Sequence, residues 1–127
     1  MAMGADAVSI GSAAMMALNC NADLYVEDYK KLGTEPGYCH HCHTGRCPVV
    51  VATQDPELEK RLNPIEAGKR IKNYLTTLTL ELQTLARANG KSDVRNLEPE
   101  DLAALTVEAA AMARVPLAGT DWTPGKK

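Results

Sequence analysis

Three cysteines lie within residues 39–48, a run that reads CHHCHTGRCP, and a segment of this kind must fold around its thiols. Two residues separate Cys39 from Cys42 and four separate Cys42 from Cys47, so the three thiols can converge on one centre. Cys20 is a fourth thiol, further back along the chain. The start of the sequence lacks the basic segment that leads a secretory signal, which predicts reduced thiols. The cluster therefore indicates a metal or cofactor site rather than disulfides.

The cysteine spacing is compatible with several kinds of centre. An iron–sulfur cluster takes thiolate ligands from closely spaced cysteines in a loop, and a proline such as Pro48 often follows the last ligand. Zinc would be four-coordinate, bound by Cys39, Cys42, Cys47 and one histidine. Residues 39–43 also match the C-x-x-C-H pattern of haem attachment, but that attachment follows export and no export signal is visible. Reduced thiols without a ligand are the fourth interpretation. The spacing alone favours the iron–sulfur cluster.

The amino-terminal residues have the pattern of a strand, a turn and a helix. Residues 5–10 (ADAVSI) predict a short buried strand, Gly11 and Ser12 a turn, and residues 13–18 a helix rich in Ala and Met. A turn of this kind points backbone N–H groups at a site where they can hold phosphate. A tight turn that needs glycine only for its backbone freedom explains Gly11 equally well.

The longest predicted element is a helix over residues 64–89. Asn63 is a suitable N-cap, Pro64 suits the first turn, and Glu66 has capping-box spacing from Asn63. Gly90 is a good stop signal. One apolar stripe runs along the helix and is expected to pack on the rest of the domain; its members are Ile71, Leu75, Leu78, Leu82 and Leu85.

The other segments predict short helices and connections. They are a short helix within 21–32, a loop over 33–47, an extended apolar stretch over 48–53, a helix capped by Asp55 and begun by Pro56, a helix over 99–112 ended by Pro116, and an irregular tail. One strand and several helices do not close a sheet, because a buried strand needs neighbours on both sides. The sequence therefore predicts the end of a larger α/β domain.

Charge and hydropathy exclude some classes of function. The formal net charge of −2 is not that of a protein that binds nucleic acid through a basic surface. No apolar run is long enough for a transmembrane helix. The 45% hydrophobic and 24% charged content is that of a soluble globular protein, so we expect a cytoplasmic protein with no nucleic-acid or membrane partner.

Three long segments together resemble the FMN-binding domain of the glutamate synthase family. They are GADAVSIGSAAMMALNC (4–20), CHTGRCPVVVATQDPELEKRL (42–62) and LARANGKSDVRNLEPEDLAAL (85–105). The resemblance covers nearly the whole chain and corresponds to the carboxyl-terminal end of that domain. Residues 78–92 and 105–122 are similar to the branch that includes the glutamate-synthase-like subunit of methylamine–glutamate N-methyltransferase (N-methylglutamate synthase).

The resemblance implies a (β/α)8 barrel with FMN at the carboxyl ends of its strands. This chain would be its C-terminal fragment, mostly helical with one or two short strands. Residues 1–19 would form the last barrel strand and the start of a helix, 20–54 the cysteine-rich cluster loop, and 55–127 the C-terminal helices and tail. Gly11 and Ser12 would lie in the turn that holds the FMN phosphate, which is only part of the flavin site.

The resemblance also implies a 3Fe–4S cluster, and the family's ligand positions match Cys20, Cys42 and Cys47. Twenty-one residues separate Cys20 from Cys42 here, far more than the family's usual loop. Cys39 is an extra thiol that could replace Cys20 or complete a four-thiol site for 4Fe–4S. We rank Cys20 above Cys39 as the third ligand, because a long loop can bulge away while its ends keep their places.

The implied function is that of an oxidoreductase acting on CH–NH2 donors. Electrons would pass through the cluster to FMN, and the reduced flavin would deliver hydride to the imine formed from 2-oxoglutarate and ammonia, giving glutamate. The chain would supply cluster ligands and no catalytic residue, so alone it is expected to be inactive. Its partners would be the remainder of the barrel or other glutamate-synthase-like subunits, and a small-molecule substrate. An N-methylglutamate synthase subunit and a small non-enzymatic zinc-binding interaction protein are the alternatives.

Overall fold

The computed structural model describes residues 1–126 and is helical throughout its regular parts. The helices are α1 (Gly11–Ala17), α2 (Val26–Lys31), α3 (Pro56–Glu59), α4 (Pro64–Ala88) and α5 (Val107–Ala113), with 3-10 turns at His41–Thr44, Val94–Asn96 and Pro99–Asp101. None of the helices within this part of the chain has the length and apolarity that a bilayer span requires.

The chain divides into two compact units. Ile10–Thr77 form the first, which we call the cysteine unit because all four cysteines lie in it. Met1–Ser9 and the chain from Leu78 onwards form the second, which we call the alanine unit because its buried core is Ala104, Ala110 and Val115. Helix α4 contributes residues to both units.

Helix α4 begins as the sequence predicts. The side-chain Oδ1 of Asn63 accepts hydrogen bonds from the backbone N–H of Ile65 at 3.0 Å and of Glu66 at 3.2 Å. The Glu66 carboxylate pairs with the Lys69 ammonium at 2.8 Å. The N-cap role of Asn63 is therefore confirmed, and the carboxylate of Glu66 contributes an i,i+3 ion pair.

The far end of α4 is closed by a glycine. Gly90 has a positive φ of 70° and donates to the carbonyl of Arg87, while the N–H of Lys91 reaches back to the carbonyl of Ala86. This pair of bonds is the Schellman arrangement, and glycine adopts the left-handed conformation without steric cost. The predicted end of the helix is confirmed within one residue.

The predicted packing of the α4 stripe is wrong for part of its length. Leu75, Leu82 and Leu85 are exposed, whereas the buried residues of α4 are Ala67 and Ala86. Within residues 1–126, the chain therefore covers small side chains of α4 and leaves these three leucines uncovered.

The strand predicted over residues 5–10 does not form; these residues are irregular and exposed, and Ile10 is the N-cap of α1. A strand requires a hydrogen-bonded neighbour, and no strand forms anywhere in residues 1–126 to pair with it. The helices predicted within 13–18 and 21–32 do form, as α1 and α2. The fold is thus mostly helical, as expected, but without the expected short strands.

The single helix predicted over 99–112 is also wrong, because local caps interrupt it. Asp101 accepts a hydrogen bond from the N–H of Glu98 and closes a 3-10 turn. Thr106 Oγ1 accepts from the N–H of Ala109 and starts α5. Between them Ala104 pairs with the segment after α5, donating to the carbonyl of Pro116 at 2.8 Å. Side-chain caps and this pairing satisfy the backbone better than a continuous helix would.

Candidate metal–thiolate centre

Two polar contacts position the first thiols. Cys20 follows α1, and its N–H donates to the carbonyl of Met15 at 3.0 Å. Asn21 adopts a positive φ of 59°, a conformation that asparagine tolerates. Its side-chain Oδ1 accepts the N–H of Cys39 at 3.3 Å. Eighteen positions apart in sequence, Asn21 and Cys39 thereby fix the segment of Cys20 to that of Cys39.

The other two thiols lie on a tight turn and in the core beside it. Cys42 is exposed on the 3-10 turn His41–Thr44, which Gly45 ends with a positive φ of 71°. The hydroxyl of Thr53 donates a short hydrogen bond to the carbonyl of Gly45 and closes the loop. Cys47 is buried.

Residues 48–52 form turns, so the extended stretch predicted over 48–53 is wrong. The N–H of Val50 donates to the carbonyl of Cys47 at 3.1 Å, and Val50 has a positive φ of 74°. This conformation is unfavourable for a β-branched residue and is held here by burial of Val49 and Val50. The chain turns immediately after Cys47. Asp55 follows this turn and caps α3, as predicted.

A tyrosine forms the centre of the cysteine unit. Tyr29, on α2, is only 1% exposed and packs with Cys47 and Val49. Partly buried residues that pack against these three are Cys39, Val51 and Ala52. The phenolic oxygen of Tyr29 is buried and has no hydrogen-bond partner in this part of the chain. The thiols thus share their core with a polar group whose hydrogen bond is not made.

The four thiols and Tyr29 interact electrostatically. Burial raises the pKa of the Cys20 thiol, and the neighbouring Cys42, Cys47 and Cys39 raise it further. Burial, followed by the thiols Cys39, Cys47 and Cys20, raises the pKa of Tyr29 to about 12. The shifts indicate that these thiols and the phenol lie near one another in the cysteine unit.

Four thiols in one unit are a donor set that an iron–sulfur cluster can use. In residues 1–126 no three side chains of His, Cys, Asp or Glu lie close enough together to bind one metal ion. Thiolates about 2.3 Å from one zinc must lie within about 4 Å of each other. A cluster of several irons holds its thiolates further apart and, like zinc, takes soft sulfur ligands, which Cys20, Cys39, Cys42 and Cys47 all supply.

An arginine that the sequence analysis did not single out fixes α2 against the cysteine loop. The guanidinium of Arg61 donates to the Asp28 carboxylate at 2.8 Å and to the carbonyl of Pro48 at 3.1 Å. It also lies 4.3 Å from the centre of the Tyr25 ring, a cation–π contact. The hydrogen bond from Arg61 lowers the pKa of the Asp28 carboxyl. No local pattern predicts Arg61 or Tyr29, because their partners lie far away in sequence.

The predicted phosphate turn lies at the start of α1. Gly11 and Ser12 are its first two residues, and both are exposed. A Cβ at Gly11 would meet nothing within 4 Å, and its φ is not positive. The chain's own backbone therefore does not require glycine here, contrary to the interpretation based on backbone freedom.

Comparison with known proteins decides the family. The family model described as the conserved region in glutamate synthase matches residues 1–92, which include the whole cysteine unit. The chain belongs to the glutamate synthase family. The resemblance seen in the sequence is thereby confirmed.

Its relatives are much longer proteins. A glutamate synthase large subunit-like protein of Rhizobium meliloti is 59% identical over 126 residues, which is 99% of this chain and 28% of the relative. An archaeal glutamate synthase [NADPH] of Methanocaldococcus jannaschii is 38% identical over 97 residues, 76% of this chain and 16% of the relative. The chain thus spans less than a third of the length of either. No solved structure matches it.

Proposed function

We propose that this chain is the iron–sulfur-binding end of the FMN domain of a glutamate-synthase-type oxidoreductase. The whole protein would reductively aminate 2-oxoglutarate to glutamate, and the cluster, when bound, would accept and pass on electrons. The observation that carries the proposal is that three thiols, those of Cys20, Cys39 and Cys47, lie near Tyr29 in a family member, with Cys42 near Cys20. Thiolates of this kind need a reducing compartment, which fits the cytoplasm.

Cys20, Cys42 and Cys47 would hold a three-iron cluster, and Cys39 would be the fourth ligand of a four-iron cluster. Cys42 and Cys47 are the firmest candidates, because local spacing and the family match agree on them. The contact of Asn21 with the Cys39 N–H supports a role for Cys20, since it holds the residue next to Cys20 beside the cysteine loop.

Gly11 and Ser12 would contribute to the FMN phosphate site, with the rest of that site in the remainder of the barrel. The exposed first turn of α1 has backbone N–H groups suited to a phosphate, and the absence of a side chain at Gly11 leaves room for one to approach. α1 has seven residues, about 10 Å of helix, so the phosphate turn and Cys20 lie about one short helix apart. We assign no catalytic residue to this chain.

Serine substitutions of the cysteines, with iron and sulfide restored anaerobically, test the proposal. Cys42→Ser or Cys47→Ser should abolish the broad visible absorbance, Cys20→Ser should nearly do so, and Cys39→Ser should leave much of it. His40→Ala is the control, because this neighbouring side chain is exposed. The measurements are iron, acid-labile sulfide and the visible spectrum.

Two results would count against the assignment. A full complement of iron and sulfide in Cys42→Ser would show that the ligands are wrong. A colourless purified protein that contains zinc and takes up no iron would instead support the zinc-binding alternative. Loss of the cluster in Cys39→Ser alone would reverse the ranking of Cys20 and Cys39.

A further inference from the structure

Tyr29 is the buried residue of α2, and its core neighbours are two cysteines, two valines and an alanine. It packs directly with Cys47, and Cys39 packs against the same core. With 1% of its surface exposed, its hydroxyl cannot be satisfied by bulk water. Burying a hydroxyl without a hydrogen-bond partner costs free energy of folding, so we expect the Tyr29 hydroxyl to have an acceptor.

The phenol of Tyr29 can donate one hydrogen bond through its O–H group. That group is buried beside Cys47, and no acceptor within residues 1–126 takes its proton. The partly negative sulfur atoms of a metal–thiolate centre accept such protons. Charge at the acceptor strengthens a hydrogen bond, particularly in a poorly solvated core.

We propose that Tyr29 donates its phenolic hydrogen bond to a sulfur of the iron–sulfur centre and thereby raises the reduction potential of that centre. The inference rests on the proposed function. Reduction adds negative charge to the sulfurs, and a donor that points at them stabilises the reduced state more than the oxidised state. Hydrogen bonds to the sulfurs are among the features that set the potential of such clusters. Tyr29 thus changes the reduction potential of the centre through its hydrogen bond to a sulfur atom.

The long segment between Cys20 and Cys42 carries Tyr29, the proposed donor. α2 lies within that segment, and Asp28, beside Tyr29, is held by Arg61 at 2.8 Å. Arg61 also bonds the carbonyl of Pro48, which directly follows Cys47. The same side chain therefore fixes both the helix that carries the donor and the loop that carries the buried thiol.

Tyr29→Phe tests the inference, because it removes one oxygen and keeps the ring. The purified protein is loaded anaerobically with iron and sulfide, and its midpoint potential is followed by electron paramagnetic resonance. We expect a more negative potential, with the ratio of reduced to oxidised cluster at a fixed potential falling roughly tenfold, or about 59 mV for one electron. Tyr38→Phe is the matched control, since Tyr38 is 70% exposed.

The possible outcomes separate this inference from the proposed function. If the unaltered protein takes up no iron and sulfide, both fail. If it takes them up and Tyr29→Phe leaves the potential unchanged, or Tyr38→Phe moves it equally, only the role of Tyr29 is overturned. If Tyr29→Phe proves unfolded by circular dichroism, a fluorotyrosine at position 29 replaces it. As a stronger donor of nearly the same shape, fluorotyrosine should move the potential upward, and an unchanged potential would refute the inference.

Discussion

The cysteine unit and the alanine unit close their cores in different ways. The alanine unit buries Ala104, Ala110 and Val115, which bring no polar side-chain atoms into the core, and pairs the backbone of Ala104 with its neighbours. The cysteine unit buries a phenol whose hydroxyl finds no partner within residues 1–126, next to thiols that raise the pKa of one of their number, Cys20. The first core needs only packing and hydrogen bonds. The proposed cluster would supply the missing acceptor in the second core, which should therefore be less stable without it.

The two units also differ in how widely they are shared. The family model ends at residue 92, shortly after α4, and so leaves out most of the alanine unit. The Rhizobium meliloti relative matches over 126 residues and therefore shares both units. The family model therefore covers the whole cysteine unit, whereas the alanine unit after residue 92 lies outside it and is shared with the Rhizobium meliloti relative.

Overfilling the alanine core should have the largest effect. Ala110 is fully buried, so Ala110→Leu forces side chains apart and should lower the free energy of unfolding by about 3 kcal/mol. Ala111→Leu on the same helix is the control and should change it little, because Ala111 is exposed. Chemical denaturation measures both. Iron uptake by Ala110→Leu below its melting temperature should equal that of the unaltered protein; a loss of iron would contradict the independence of the two cores.

Removing the contacts of Arg61 should lower the free energy of unfolding by less than Ala110→Leu does. Arg61→Met removes the bonds to Asp28 and Pro48 and the contact with the Tyr25 ring, and should cost about 2 kcal/mol in thermal or chemical unfolding. Unlike Ala110→Leu, it should also reduce iron uptake, because α2 is no longer held to the cysteine loop. Lys60→Met is the control, since Lys60 forms only an exposed ion pair with Glu57. Equal effects of the two substitutions would refute this role of Arg61.

Alkaline pH should act on the cysteine unit selectively. The folded protein binds the Tyr29 proton more tightly than the unfolded chain, whose phenol has its ordinary pKa of 10.0. Stability is therefore retained below pH 10 and lost as the pH rises toward 12, by about 1 kcal/mol between pH 10 and 11. The raised pKa of Cys20 adds a loss that begins near its ordinary value of 9.0. In the metal-free protein, Tyr29→Phe should remove the upper part of this decline, and an unchanged decline would contradict the assignment.

Elements that begin or end at a clear capping signal could be predicted from the sequence. α4 has Asn63 before it and Gly90 after it, and α3 has Asp55 followed by Pro56, so a few residues determine where each begins or ends. The stretch 99–112 has helix-forming residues throughout, but Asp101 and Thr106 act as caps within it. Asp101 and Thr106 act as caps here because Ala104, between them, pairs with the segment after α5. That pairing joins residues far apart in sequence, so no local pattern predicts it.

The site was predictable only in its thiols. Spacing and family likeness identify Cys42 and Cys47 as candidate ligands, because ligand pairs of this kind lie close together in sequence. Tyr29 and Arg61 make their contacts across ten or more residues, and these contacts exist only after the chain has folded. The predicted strand over 5–10 failed for a related reason. Its pattern of apolar residues requires neighbouring strands, which residues 1–126 do not form.

The attachment of α2 by Arg61 also bears on how readily a multidentate site can assemble. If the 21 residues between Cys20 and Cys42 were flexible, the effective concentration of the Cys20 thiol near the other thiols would be low, because effective concentration falls with tether length. Here α2 and the contact between Asn21 and Cys39 take up much of that tether. In the proposed centre, Cys20 would therefore be held near the other thiols before the metal binds, and the long segment would not weaken metal binding.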